Sequence, residues 1–218
     1  MALRVEVIPV TPFKQNCSLI WCDQTMQGAV IDPGGDIDKI RHVIDFHQVN
    51  VEKILLTHGH LDHAGGAAEL SIALKLPIIG PHKADRFWLE GMEEQAKNYG
   101  FPGVKTCLPD EWLNGDEIIS VGQEKLSVLF CPGHTPGHVV FYHADSKLAF
   151  VGDVIFRGSI GRTDFPRGDY DTLINSITEK LWPLGDETRF VSGHGPISDF
   201  ATERATNQFV ADSRLAKA

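Results

Sequence analysis

Residues 53–66 read Lys-Ile-Leu-Leu-Thr-His-Gly-His-Leu-Asp-His-Ala-Gly-Gly. The apolar run Ile54–Leu56 predicts a short buried strand that ends in a polar, glycine-bearing turn. That turn carries His58, His60, Asp62 and His63, and a small-residue helix is expected to begin near Ala64. Imidazole and carboxylate are the ligands that zinc and similar first-row ions take. On extended backbone, residues two apart point the same way, so His58 and His60 aim at one point. Asp62 and His63 lie past the turn, at the helix start, and aim at a second point beside it. One loop can therefore serve two ions, with the remaining ligands drawn from elsewhere in the chain.

Elsewhere, one pattern recurs. A short apolar strand ending in a Gly/His or Gly/Asp turn stands at 54–60, 126–134, 148–153 and 188–194. If these strands share one sheet and one direction, all four turns lie on one edge, where α/β proteins place their chemistry. Collected, the turns hold His58, His60, Asp62, His63, His134, Asp153 and His194. Seven such residues exceed a closed four-ligand structural site and suit two ions with open positions. His58, His60 and His134 form one group; Asp62, His63 and His194 form the second; Asp153 offers two oxygens and bridges them. Zinc, as one or two ions, is the expected metal, and a His/Asp set of this kind also accepts iron or manganese.

The remaining pattern is that of an α/β chain. Strands are expected at 3–10, 16–22 and 28–32, then a helix with Asp36 as its N-cap and Ile37, Ile40, Val43 and Ile44 on one face. Residues 81–112 read as an active-site lid or a connector. Two strands, 117–121 and 125–131, precede a hairpin of strands 139–143 and 148–151. A Gly-rich loop at 157–168 leads to a helix bearing Tyr170, Leu173, Ile174, Ile177 and Leu181, and a final helix runs from about 199 to 215. No composition shift divides the chain, so residues 1–218 are expected to form one domain.

Charge and cysteine content narrow the function. Twenty Lys and Arg against 29 Asp and Glu give −9, which argues against nucleic acid and anionic membranes as partners. Cys17, Cys22, Cys107 and Cys131 form no C-x-x-C pair and read as reduced, mostly buried thiols. The N-terminus lacks the apolar core of a signal peptide, and no apolar run approaches membrane-spanning length, so a cytoplasmic location is expected.

The ordered motifs Thr-His-Gly-His-Leu-Asp-His, Gly-His134-Thr-Pro-Gly-His138, Gly-Asp153 and Ser-Gly-His194-Gly resemble those of the metallo-β-lactamase superfamily, over essentially residues 5 to 200. The resemblance implies an αββα sandwich of two face-to-face mixed sheets with helices outside, and its usual metal roles agree with the grouping above. Within the superfamily the chain is most similar to glyoxalase II, the hydroxyacylglutathione hydrolases. Gly-His-Thr-Pro-Gly-His, Ile31-Asp32-Pro33-Gly34 and the stretch Phe156 to Phe165 carry that likeness. The resemblance implies a glutathione-linked thioester such as S-lactoylglutathione as the small-molecule substrate, with Arg162 helping to hold the glutathione moiety. Where the family often has a tyrosine, this chain has Asp164, and the chain resembles the short bacterial type, for which the family's longer C-terminal helical extension is not expected.

The chemistry expected is thioester hydrolysis. A metal ion lowers the pKa of bound water to about 7, so hydroxide is available at neutral pH. Asp62 is the candidate catalytic residue that orients this nucleophile. The leaving thiolate has a free-thiol pKa of roughly 8.5 and needs little acid assistance. Asp32 and His138 are candidates to hold ligand imidazoles, which as metal ligands donate their second N–H to a carboxylate or carbonyl. An alternative comes from Gly161–Phe165, which also resembles the persulfide dioxygenases of the same fold. Those use one iron, held by counterparts of His58, His134 and Asp153, to oxidise glutathione persulfide with oxygen. A non-catalytic metal-binding protein on the same scaffold is a third reading, since fold alone does not fix function.

Overall fold

The structure is a computed structural model and describes residues 2–101 and 103–216. Residues 1, 217 and 218 of the expected domain, and residue 102 within the 81–112 stretch, lie outside the described residues.

The first sheet holds β1 (Leu3–Val10), β2 (Gln15–Cys22), β3 (Gln27–Ile31), β4 (Asn50–Leu55), β5 (Ile78–His82) and β6 (Glu111–Leu113), in that spatial order. Its first three strands pair antiparallel, and β3 to β6 pair parallel. The second sheet begins with β7 (Ile118–Val121), β8 (Glu124–Phe130), β9 (Val139–His143) and β10 (Leu148–Gly152). A small hairpin, β11 (Ile155–Phe156) and β12 (Ser159–Ile160), then precedes β13 (Arg189–Ser192) and β14 (Ser198–Asp199), which complete that sheet in the order β14-β13-β10-β9-β8-β7. The helices are α1 (Ile37–His47), α2 (Leu61–Ala64), α3 (Ala67–Leu74), α4 (Arg86–Glu90), α5 (Met92–Tyr99), α6 (Tyr170–Ser176), α7 (Phe200–Thr206) and α8 (Asp212–Leu215).

Successive strand residues point to opposite faces, and in central strands such as β3 and β10 both faces are covered, so these read as continuous apolar runs, whereas the edge strands β1 and β7 alternate buried and exposed residues. In β3, Ala29 and Ile31 face the second sheet, while Val30 faces α1 and α3. In β10, Leu148 and Phe150 face the first sheet, while Ala149 and Val151 pack against Leu173 and Ile177. Three apolar layers result: helix on sheet, sheet on sheet, and sheet on helix. This is the αββα sandwich.

Four local readings change. The strands ending in ligand-bearing turns do not share one sheet: β4 lies in the first sheet, and β8, β10 and β13 in the second. The turns meet across the top of the sandwich, where Val139 N–H donates to the Thr57 carbonyl (2.8 Å) and Asn16 N–H to the Gly193 carbonyl (2.7 Å). Asp36 does hold the N-cap position of α1, at φ 51°, but its side chain makes no capping bond to the helix and accepts instead from the Thr11 N–H at 2.8 Å. The C-terminal helix breaks at buried Asn207, whose side-chain oxygen takes the Phe209 N–H at 2.9 Å and whose amide donates to Ser159 and Glu203. The Gly-rich loop is not irregular throughout: its first residues turn back as β12, which pairs antiparallel with β11 just before it. Residues 81–112 build a wall: Leu89, Met92 and Ala96 enter the core, while Trp88, Gln95 and Tyr99 line a cavity.

Candidate metal centre

The backbone sets the ligand directions. After β4 the chain stays extended through His60 (φ −74°, ψ 153°) and then enters α2, which carries Asp62 and His63. Turns after β8, β10 and β13 deliver His134, Asp153 and His194 to the same place. His58 and His63 are fully buried, and His60, His134 and Asp153 nearly so. Asp62 and His194 are half-buried and face a cavity of about 720 Å³.

Three imidazole nitrogens converge. His60 Nδ1 lies 3.2 Å from His58 Nε2 and 3.0 Å from His134 Nε2. The far side of each partner ring fixes which nitrogen is bare. His134 Nδ1 donates to the Arg162 carbonyl at 2.7 Å, and that oxygen can only accept. The Thr57 hydroxyl donates to Asp32 at 2.6 Å and so accepts from His58 Nδ1 at 3.0 Å. Both Nε2 atoms therefore present lone pairs to the same point. Two nitrogens on a tetrahedral zinc, each about 2.0–2.1 Å from it, stand roughly 3.3 Å apart, close to these separations. Burial, then the neighbouring imidazoles, pushes His58 well below its usual range and His60 down to about 3. Burial also lowers His134. Neutral rings are the form a metal takes.

The second group sits beside it. His194 Nε2 is 3.0 Å from Asp62 Oδ2, and His63 Nε2 is 3.8 Å from the same oxygen. Asp153 stands between the groups, with Oδ1 3.2 Å from His63 Nε2 and Oδ2 3.6 Å from His134 Nε2 and 3.8 Å from His194 Nε2. His63 Nδ1 donates to Asp32 at 2.8 Å, so Nε2 is the nitrogen turned to the site. Burial disfavours charge on His63, but the Asp153 and Asp62 carboxylates outweigh it and raise its pKa well above the usual value. Burial likewise opposes ionisation of Asp153, and His63, His134 and His194 hold its carboxyl well below the carboxylate range.

The donor set fits a cation. His63 Nε2 and Asp153 Oδ1 are buried and face each other at 3.2 Å, yet neither makes a hydrogen bond of satisfactory geometry, which is costly for polar groups unless something else binds them. Gly193 is required for the approach: a Cβ there would overlap Asp153 Oδ1 and the His63 ring. A further His/carboxylate group, Glu124, His143 and Asp145, lies apart at the β9–β10 hairpin and is closed by a 2.9 Å pair between Glu124 and His143.

The structure places the other residues singled out from the sequence as follows. Asp32 touches His63, and through Thr57 also His58. His138 stacks on His58 with ring centroids 4.7 Å apart and accepts the Asp153 N–H at 3.1 Å, so it orients a ligand loop rather than a ligand nitrogen. Arg162 lines the cavity, but its guanidinium is paired twice with Asp164 (2.9 and 2.7 Å) and lies 4.4 Å over the Phe165 ring. The sequence reading missed Thr57, Trp88 and Asp85. Trp88 and Asp85 lie in the stretch 81–112, whose scattered polar and aromatic residues carry no period.

An αββα sandwich whose two sheets meet at a buried His/Asp cluster defines the class, and the chain belongs to the metallo-β-lactamase superfamily, whose family model matches residues 10–194. Among relatives, the chain is 46% identical over 209 residues to the hydroxyacylglutathione hydrolase GloC of Haemophilus influenzae, covering 95% of this chain and 98% of that protein. A solved structure of the BLEG-1 B3 metallo-β-lactamase superposes with a TM-score of 0.87 at 33% identity, covering 95% of this chain and 99% of that one. TTHA1623, solved in a di-iron-bound form, superposes with a TM-score of 0.85 at 35% identity, covering 94% and 100%. Among the described residues no helix is long and apolar enough to cross a membrane.

Proposed function

We infer that the protein hydrolyses glutathione-linked thioesters of the S-lactoylglutathione type, releasing a hydroxy acid and glutathione. The observation that carries this reading is the opening of the seven-residue His/Asp cluster into one aromatic-walled cavity. His60, Asp62, His134, Asp153 and His194 all line it, opposite Phe13, Trp88, Tyr99, Phe156 and Phe165. The likeness to GloC supports the substrate class.

In this reading His58, His60 and His134 hold one ion, Asp62, His63 and His194 hold a second, and Asp153 lies between them. Bound there, divalent ions supply hydroxide at neutral pH and polarise the thioester carbonyl. The residues do the rest. Asp62, half-exposed to the cavity, orients the attacking water by accepting its hydrogen bond. The aromatic walls exclude bulk water from the acyl group and flank the thioester. The departing thiolate, with a pKa of roughly 8.5, needs no dedicated acid. Among the described residues that line the cavity, Arg162 is the one Lys or Arg side chain available to a glutathione carboxylate, which must share it with Asp164. The relative solved with two irons keeps iron open beside zinc and manganese. Four buried thiols without disulfides fit the reducing cytoplasm.

The test is a substrate panel on purified protein. Loss of the S-lactoylglutathione thioester with stoichiometric lactate release supports the reading. Oxygen uptake with glutathione persulfide and no thioester cleavage overturns it.

A further inference from the structure

Asp85 follows β5 and opens α4, outside every motif the sequence analysis used. Its side chain is fully buried. Oδ2 accepts the Gly59 N–H at 2.9 Å and the Thr135 hydroxyl at 2.7 Å, and Oδ1 accepts the Gly137 N–H at 2.6 Å. Gly59 separates His58 from His60. Thr135 and Gly137 lie in the loop from His134 to His138. One carboxylate thus grips both loops that supply the three converging imidazoles, and those loops leave different sheets.

Three features make the grip specific. All three partners are donors, so only a group with two accepting oxygens satisfies them; an amide would turn its NH₂ against one N–H. No Lys or Arg among the described residues pairs with Asp85, so these donors alone hold the buried charge. Burial pushes the carboxyl up to about 6, while Thr135, Gly59 and Gly137 pull it down. The loops also come too close for side chains. A Cβ on Gly137 would lie 2.7 Å from Asp85 Cγ, and one on Gly59 would lie 2.7 Å from Trp88 Cβ. The two motif glycines are therefore places where backbone N–H groups reach Asp85. The carboxylate does not line the cavity, so it touches neither substrate nor reacting atoms.

We propose that Asp85 is a positioning residue for the three-histidine group: it fixes the separation of the His58–His60 and His134 loops and thereby sets the affinity and geometry with which they hold a metal ion. This rests on reading that group as a metal centre.

The test uses the full chain loaded with zinc, and with cobalt(II) as a spectroscopic probe. Chelator competition gives the affinity of the tighter site, and the cobalt d–d absorption reports coordination geometry. Asp85→Asn is expected to weaken zinc binding roughly 10- to 100-fold and to shift the cobalt bands, as loss of an outer partner of a metal site does. Thr135→Val removes one donor and keeps the carboxylate; it is expected to weaken binding about 2- to 10-fold, the worth of one hydrogen bond. A folded Asp85→Asn protein with wild-type zinc affinity and an unchanged cobalt spectrum overturns the proposal. If Asp85→Asn does not fold, Thr135→Val decides, and wild-type affinity and spectrum there overturn it. A wild-type protein that binds neither ion overturns the metal-centre reading itself, and this inference with it.

Discussion

Asp32 accepts the His63 Nδ1–H at 2.8 Å and, through its second contact to the Thr57 hydroxyl at 2.6 Å, also governs the His58 ring. One buried carboxylate therefore orients an imidazole in each of the two ligand groups. It sits at φ 51°, where Pro33 and Gly34 turn the chain sharply. Its other oxygen takes the Thr57 N–H at 2.8 Å.

Asp32→Ala is expected to weaken both metal equivalents, each by roughly 10- to 100-fold. The buried Thr57 N–H loses its partner, which costs about 1–3 kcal/mol of stability. Titration calorimetry and thermal unfolding read the two effects separately. Loss at one equivalent alone would contradict the shared role.

Protons should compete with metal unequally. Burial lowers His58, His60 and His134, so these rings are already neutral near pH 7. Burial opposes charge on His63 and His194 too, yet the neighbouring carboxylates raise both. A raised histidine pKa keeps the proton to higher pH, so competition is strongest as pH falls. In chelated protein the His63 contribution to stability is full below the unfolded value of about 6.5 and is lost as pH rises through the folded value. Calorimetry in buffers of different ionisation enthalpy should show more protons released by the second equivalent than by the first. It should also show a second-site affinity that falls more steeply on acidification.

The Arg162–Asp164 pair should tune substrate binding rather than chemistry. Both side chains are about two-thirds exposed. Asp164→Ala frees the guanidinium and is expected to lower KM for a glutathione thioester by up to about fivefold, the scale of an exposed ion pair. Arg162→Ala should raise KM by roughly threefold to tenfold with kcat nearly unchanged. Steady-state kinetics on the two variants checks the opposed signs.

Gly193→Ala tests the crowding around Asp153. The added methyl meets Asp153 Oδ1 and His63, and overpacking of this kind costs about 1–3 kcal/mol. The expected result is a folded protein with less bound metal, read by elemental analysis beside circular dichroism.

What the sequence showed depended on how local each signal was. His58, His60, Asp62 and His63 lie within six positions, so strand and helix geometry alone separates their directions. His134, Asp153 and His194 were legible because each ends an apolar strand in a Gly-bearing turn. That pattern is the same in either sheet, which is why β4 could not be assigned to a different sheet from β8, β10 and β13. Asp85 was invisible for a related reason. Its partners are Gly59, Thr135 and Gly137, from two distant segments, and nothing in the sequence around Asp85 marks a carboxylate with three donors. The break at Asn207 likewise depends on contacts to Ser159 that only the folded chain provides.

The central claim, that the His/Asp cluster is a metal centre for thioester hydrolysis, is tested most directly by metal-resolved activity. Purified protein is stripped, reloaded stepwise with zinc, iron or manganese, and assayed for S-lactoylglutathione hydrolysis at each measured metal content. The account predicts cleavage that rises with bound metal and is abolished in His58→Ala. Stoichiometric metal without thioester cleavage under any of the three ions, or full cleavage by the stripped protein, would contradict it.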